Sequence, residues 1–187
     1  MIAVIDTETN FYNEVISIGI IISDNDFKSV CGCYYIIEPE ASYPSMFAGV
    51  LYRFLDEYKA YKCNREQAIN NIRNLLNDNN VECIYAYNAR FDYMHMMELS
   101  DYSWIDIMMV AAYRQYNRFI PKYFECSKSG RMKRGYGVEG LLRMTTGNPY
   151  YREVHNAIYD ARDELKLLEL LGVDRGVYEE VAVINRK

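Results

Sequence analysis

Ile2-Ala3-Val4-Ile5-Asp6-Thr7-Glu8-Thr9 joins an apolar stretch to two acidic side chains. The apolar part, residues 2–6, is typical of a short buried strand. Side chains alternate along a strand, so Asp6 and Glu8 project to the same face. Two such carboxylates repel each other unless a cation lies between them, and Mg²⁺ and Mn²⁺ prefer oxygen ligands. An Asp-x-Glu pair is by itself most often a solvated strand end, but this one follows an apolar strand. That position predicts the carboxyl edge of a sheet, where open sheets bind ligands.

Two further acidic segments lie far along the chain. Tyr87-Asn88-Ala89-Arg90-Phe91-Asp92 follows an apolar run at 82–86, and His155-Asn156-Ala157-Ile158-Tyr159-Asp160 leads into an amphipathic helix. The ordinary role of Asp92 would be to cap a helix, and Asp160 could simply face solvent. His155 is of a residue type that can take a proton from a metal-bound water near neutral pH. His95, the other histidine, is flanked by apolar helical residues and is interpreted as structural.

The order of the predicted elements indicates an α/β fold with a central mixed β-sheet flanked by helices. Three strands at 2–6, 15–22 and about 30–37 form an antiparallel meander, and residues 66–77 have the apolar period of a helix. A strand at 82–86 precedes helices that begin near Asp92 and Asp106, with Asp106 as a helix cap. Residues 121–135 have no usable period and are predicted to be a loop. Helices follow at 138–144 and from about Ala157 to Leu171, where Gly172 ends the last one.

Length and composition favour one domain spanning residues 1–187, with half of its residues apolar. The longest mainly apolar run, Val15–Ile22, is shorter than the roughly 20 residues that a membrane span needs. The N-terminus lacks the charged and apolar regions of a secretory signal. We therefore expect a soluble, cytoplasmic protein with no membrane partner. The five cysteines have no C-x-x-C spacing and are odd in number, which argues against a zinc site or a disulfide framework.

A net charge of −5 argues against broad attraction to a polyanion. It does not exclude a nucleic-acid enzyme, because bound cations reverse the local field of a carboxylate cluster. Positive charge is concentrated between Pro121 and Gly135, and nearby aromatic residues could stack on bases. The candidate phosphate contacts in this segment are Lys128, Arg131, Lys133 and Arg134. The alternative is a solvated, mobile loop.

Asp-x-Glu, Asn-Ala-x-Phe-Asp and His-x4-Asp, in that order, resemble the three motifs of the DEDDh 3′–5′ exonuclease family. That family includes polymerase proofreading subunits, ribonuclease T and oligoribonuclease. The resemblance runs from residue 2 to about residue 171. A sister branch has a catalytic tyrosine four residues before the last Asp, where this chain has Asn156, so the histidine branch is the better match.

The resemblance implies a ribonuclease-H-like fold that binds two divalent metal ions, Mg²⁺ or Mn²⁺. Asp6 would bridge both ions, Glu8 and Asp160 would complete the first site, and Asp92 would hold the second. His155 would be the general base. The enzyme would hydrolyse phosphodiester bonds at the 3′ end of single-stranded DNA or short RNA and release 5′-nucleoside monophosphates.

Substrate contacts are expected around the first two motifs. Thr7 lies between Asp6 and Glu8, and Thr9 follows Glu8. Asn88 orients the turn before Asp92, and Phe11 would wedge against the terminal bases, as an apolar residue does in the family. Residues 9–13 depart from the commoner Thr-Gly-Leu pattern, and Tyr87 stands where many members have histidine. These departures bear on substrate preference more than on catalysis.

Two other functions stay open on the sequence alone. One is a hydrolase of the same chemistry acting on a small or cyclic nucleotide, and the other is a noncatalytic nucleic-acid-binding module on the same fold. By analogy with relatives, a homodimer and a separate polymerase or repair partner are open as well.

Overall fold

The structure, a computed structural model, describes residues 1–185 and is built on one six-stranded mixed sheet. The strands are β1 (Ile2–Thr9), β2 (Val15–Ser23), β3 (Ser29–Ile37), β4 (Lys59–Cys63), β5 (Cys83–Ala86) and β6 (Ser103–Asp106). The helices are α1 (Arg65–Asp78), α2 (Arg90–His95), α3 (Met108–Ala111), α4 (Val138–Thr146), α5 (Ala157–Leu171) and α6 (Arg175–Val181). Short 3₁₀ turns lie at Glu40–Ser42, Ala48–Val50 and Met97–Leu99. The strand order is β4-β3-β2-β1-β5-β6.

β1 lies inside the sheet and is paired on both sides. It pairs antiparallel with β2 and parallel with β5, while β2 and β3 form the antiparallel meander that the sequence predicts. β5 and β6, as well as β3 and β4, are parallel. The carboxyl ends of β1 and β5 therefore meet at the same edge of the sheet, which brings residues 6–9 close to the segment that follows Ala86.

Alternate residues of β1 face two different cores. Ile2 and Val4 pack in one cluster with α4, α5 and α6, whereas Ala3 and Ile5 pack in a second cluster with α1. Helices thus cover both faces of the sheet. The period of two places the side chains of Asp6 and Glu8 on the α5 face. Each fully buried aliphatic side chain contributes about 1.5–3 kcal/mol to this packing.

Gly19 allows α5 to approach the sheet closely. It stands opposite Asp6 in the β1–β2 pair, and a Cβ placed on it would lie 2.1 Å from the carbonyl oxygen of Ala157. No side chain fits in that space, so the first turn of α5 rests on the backbone of β2. Asp160 belongs to that turn and is held over Asp6 as a result.

The close contact between Gly19 and the start of α5 can be tested by substitution. Replacing Gly19 with Ala should lower the free energy of unfolding by about 1–3 kcal/mol, because the added methyl group pushes α5 away from β2. It should also weaken the divalent-ion binding that the sequence predicts, because Asp160 moves with the helix. Gly49→Ala is the control, since a Cβ there meets nothing within 4 Å. Thermal unfolding and Mn²⁺ titration of both variants check this, and equal results for the two would contradict it.

Two details of the chain differ from what the sequence predicts. β4 has an almost entirely exposed sequence, Lys59–Cys63, which carries no apolar pattern to mark it. Asp106 ends strand β6 rather than beginning a helix, and its carboxylate accepts the N–H of Met108 and of Asn88. Residues 121–135 form a loop without helix or strand, as the sequence predicts, and isolated β-bridges pair Cys126 with Met132 and Tyr113 with Arg131. No helix within residues 1–185 is long and apolar enough to cross a membrane.

Candidate metal centre

Three carboxylates meet at the carboxyl end of β1. Asp6, Glu8 and Asp160 each offer one oxygen atom, and these atoms lie within 4.8 Å of one another. The alternation of β1 supplies the first two, and α5 supplies the third from its first turn. The start of α5 is fixed by Asn156, whose side-chain oxygen accepts the N–H of Ile158 as an N-cap.

Asp92 stands beside this group and is held from β1. Its Oδ1 accepts the backbone N–H of Thr7 at 2.9 Å and the Thr7 hydroxyl at 2.8 Å. Thr7 is buried, so its hydroxyl donates to Asp92 and is shielded from solvent. The charge of Asp92 is close enough to Asp6 to raise the pKa of Asp6. The two motifs are thus joined through the residue that separates Asp6 from Glu8.

Glu164 is a fifth acidic group at this site and lies outside the three motifs. It lies one helical turn after Asp160 and is only 3% exposed. Its Oε2 has no hydrogen-bond partner among residues 1–185. Its charge acts on Asp6, and those of Asp92 and Asp160 act on it. The four-residue spacing from Asp160 was the available signal in the sequence.

Burial raises the pKa of every carboxyl group in this cluster. It raises the pKa of Glu8 and of Asp92 to about 7 and the pKa of Asp160 to about 8, with neighbouring negative charges adding to the effect. The pKa of Asp6 and of Glu164 also lies well above the usual range, first because of burial and then because of the other carboxylates. The site therefore concentrates negative charge that favours either protons or cations.

The donor set fits Mg²⁺ or Mn²⁺. All candidate ligands are carboxylate oxygens, the kind that these ions prefer. Asp6 Oδ2 and Asp160 Oδ1 are buried and have no hydrogen-bond partner within the described part of the chain. Buried polar atoms of this kind are ordinarily paired, so these two oxygens are available to a cation.

His155 stands at the approach to α5. Its backbone is in the left-handed region with φ 56°, and its half-buried ring stacks on Phe47, with centroids 4.3 Å apart and planes 16° apart. The ring thus contacts Phe47. Within residues 1–185 it forms no ion pair with a carboxylate. His95 packs against Phe91 and its Nδ1 lies 2.9 Å from the Phe91 carbonyl oxygen, in keeping with a structural role.

The predicted substrate contacts around the first two motifs lie at the same edge of the sheet. Phe11 is 67% exposed, and its N–H donates to the carbonyl oxygen of Pro44. Thr9 is half-buried at the end of β1. Asn88 is exposed with φ 58°, and its N–H donates to Asp106. Asp106 therefore fixes the turn before Asp92, a role that the sequence did not predict.

The basic segment offers fewer free cations than its composition suggests. The Arg131 guanidinium lies over the Tyr136 ring at 4.5 Å and contacts the sulfur of Met108. Lys133 forms an ion pair with Glu125. Lys128 and Arg134 are exposed.

No protein-family model matches the chain, and no curated protein matches it. The assignment of function therefore depends on the side chains described above.

Proposed function

We propose that this chain is a two-metal-dependent 3′–5′ exonuclease with a ribonuclease-H-like fold. It would hydrolyse phosphodiester bonds of single-stranded DNA or short RNA and release 5′-nucleoside monophosphates. The observation that carries this proposal is the convergence of Asp6, Glu8 and Asp160, from two distant segments, to within 4.8 Å.

The carboxylates divide between two ion sites in this proposal. Asp6, Glu8 and Asp160 would hold one ion, and Asp92 would hold the other with Asp6 shared between them. Because Asp92 Oδ1 accepts two hydrogen bonds from Thr7, the other carboxylate oxygen of Asp92 would be the one to hold an ion. Two ions in such a site stabilise the attacking and leaving oxygens of an in-line displacement.

Three residues would act on the substrate. His155 would take a proton from the attacking water, whose oxygen bonds to phosphorus while the bond from phosphorus to the 3′ oxygen of the preceding nucleotide breaks, and that 3′ oxygen leaves and takes a proton from solvent. Phe11 and Tyr12 are both about two-thirds exposed and follow β1 directly, so they can stack on the terminal bases. The Tyr12 ring is braced by an edge contact with Tyr43, with ring centroids 5.8 Å apart.

A second candidate function is favoured by the basic segment. Arg131 and Lys133 are engaged by Tyr136 and Glu125, whereas Lys128 and Arg134 are exposed and form no ion pair or ring contact within residues 1–185. A short cationic surface suits a small or cyclic nucleotide better than a long polymer. The same carboxylates and the same general base would serve that reaction.

Degradation of 5′-labelled single-stranded DNA and RNA oligonucleotides in Mn²⁺ tests the proposal. A ladder that shortens from the 3′ end and disappears in EDTA is the expected result. Asp92→Asn, which keeps an acceptor for Thr7, and His155→Ala should each abolish most of it. Loss of a general base lowers the rate by roughly 10²–10⁴-fold. His95→Gln is the matched control, because His95 is the other histidine of the chain.

The outcomes separate the candidates. A wild-type protein that binds Mn²⁺ but cleaves neither polymer would contradict the exonuclease proposal, and turnover of mononucleotide esters or cyclic nucleotides would then support the second candidate. A wild-type protein that binds no divalent ion would contradict both.

A further inference from the structure

Phe47 lies against the ring of His155 on a segment far from it in the sequence. The two rings are nearly parallel, with centroids 4.3 Å apart and an interplanar angle of 16°. Phe47 is half-buried and immediately precedes the 3₁₀ turn at Ala48–Val50. An aromatic face in this position restricts the rotation of the imidazole about its side-chain bonds, which the irregular backbone before α5 would otherwise leave free.

The backbone at His155 needs such support. Its φ of 56° places a residue other than glycine in the left-handed region, which persists only where neighbouring contacts hold it. No element of regular secondary structure contains His155, since α5 begins two residues later at Ala157. The orientation of the imidazole therefore depends on what packs against it.

The segment that carries Phe47 is anchored to the same point of the chain as His155. The Asn156 amide donates to the carbonyl oxygen of Val50 at 2.8 Å and to the Tyr34 hydroxyl at 3.1 Å. The Tyr159 hydroxyl donates to the carbonyl oxygen of Phe54 at 3.2 Å. These bonds tie residues 50–54 to the start of α5. The N–H of Val50 donates to the carbonyl oxygen of Phe47 at 3.0 Å, so Phe47 is anchored to the segment that follows His155.

The charge that develops on the imidazole during the reaction also suits this contact. A general base becomes an imidazolium when it accepts a proton, and the face of a phenyl ring attracts a cation within about 6 Å. The Phe47 ring lies inside that distance. The stack can therefore hold the histidine in one orientation before and after proton transfer.

We propose that Phe47 is a positioning residue that holds the His155 imidazole for its task as general base. The inference rests on the proposed nuclease function, in which His155 is that base. Phe47 acts through His155 and has no contact of its own with the reacting atoms in this proposal.

Nuclear magnetic resonance tests the contact without any need for activity. The chain has two histidines, so the imidazole Hε1 region contains two signals, which His155→Gln assigns. In Phe47→Leu the His155 signal should move downfield, because the proton loses the shielding of the stacked ring. Phe47→Tyr should retain the wild-type position. Phe11→Leu, which removes an exposed ring elsewhere, and the His95 signal serve as controls. An unchanged His155 signal in Phe47→Leu overturns the inference.

Steady-state kinetics then test the role. Phe47→Leu should lower kcat about 10-fold, less than the loss of the base itself, with KM nearly unchanged and kcat restored in Phe47→Tyr. A raised KM with unchanged kcat would show that the ring binds substrate, and it overturns the positioning role. A wild type without activity overturns the proposed function, whereas an active wild type with normal kcat in Phe47→Leu overturns this inference alone.

Discussion

Adding Mn²⁺ to the metal-free protein near pH 8 is expected to raise its melting temperature by roughly 5–10 °C. An ion present at about 100 times its dissociation constant stabilises the folded state by about 2.7 kcal/mol. For a chain of this length each kcal/mol shifts the melting temperature by about 2–4 °C. The physical reason is the crowding of buried carboxylates at the end of β1, where Asp6 Oδ2 and Asp160 Oδ1 have no hydrogen-bond partner within residues 1–185.

The size of this shift should depend on pH. Free Asp and Glu side chains have pKa values of about 4, whereas burial raises the pKa of Glu8 and Asp92 to about 7 and of Asp160 to about 8. Between these limits the folded protein binds more protons than the unfolded chain, so the stability of the metal-free protein falls as pH rises from about 4 to about 8. Mn²⁺ should offset that fall, and its effect near pH 5 should be smaller because it competes with protons.

Differential scanning calorimetry at the two pH values, with Mn²⁺ and with EDTA, measures both effects. Asp160→Asn should remove most of the Mn²⁺ shift. Glu169→Gln is the control on the same helix, because Glu169 is paired with Lys28 and Lys166 outside the cluster. An unchanged melting temperature on addition of Mn²⁺ at both pH values would contradict a metal centre at this site.

The sequence predicted the part of the site that follows from local geometry. The strand period alone places Asp6 and Glu8 on one face, and both lie in the three-carboxylate group with Asp160. The apolar period of the last helix and Gly172 after it gave the bounds of α5 closely, and Gly172 does adopt a left-handed φ of 58°. Period and capping are properties of a few neighbouring residues, so they can be recognised without the rest of the fold.

The remainder depends on contacts between segments that are far apart. Thr7 and Asp92 are 85 residues apart, and the sequence does not show that the threonine holds the carboxylate. The stack of Phe47 on His155 likewise joins an irregular segment to the approach of a helix. Strand β4 forms beside β3 although its side chains are mostly exposed, so its backbone pairing rather than an apolar pattern determines it.

Replacing Asp6 with Asn should abolish activity and at the same time stabilise the metal-free protein. Metal ions contribute several kcal/mol of transition-state stabilisation, and about 1.4 kcal/mol corresponds to a tenfold change in rate. Loss of the shared ligand should therefore lower kcat/KM at least about 10³-fold. Activity on a labelled oligonucleotide with saturating Mn²⁺ measures this loss.

The gain in stability has a separate cause. Asp6 lies within the field of Asp92, Glu164, Asp160 and Glu8, and burial together with these charges raises its pKa well above the usual range. A neutral amide removes that repulsion, and its NH₂ group can donate to a neighbouring carboxylate. The free energy of unfolding near pH 8, without metal, should rise by about 2 kcal/mol.

Glu164→Gln tests whether the gain in stability and the loss of activity expected for Asp6→Asn have separate causes. Glu164 is buried in the same field, with an oxygen that lacks a hydrogen-bond partner in the described chain, yet it stands outside the three-carboxylate group. The Glu164→Gln variant should be stabilised without metal as Asp6→Asn is, and it should retain much more activity than Asp6→Asn. The control variant Glu169→Gln should change the free energy of unfolding by no more than about 0.5 kcal/mol. If Asp6→Asn instead lowered the unfolding free energy, the carboxylates would be stabilising the fold on their own, and the case that a cation belongs between them would fail.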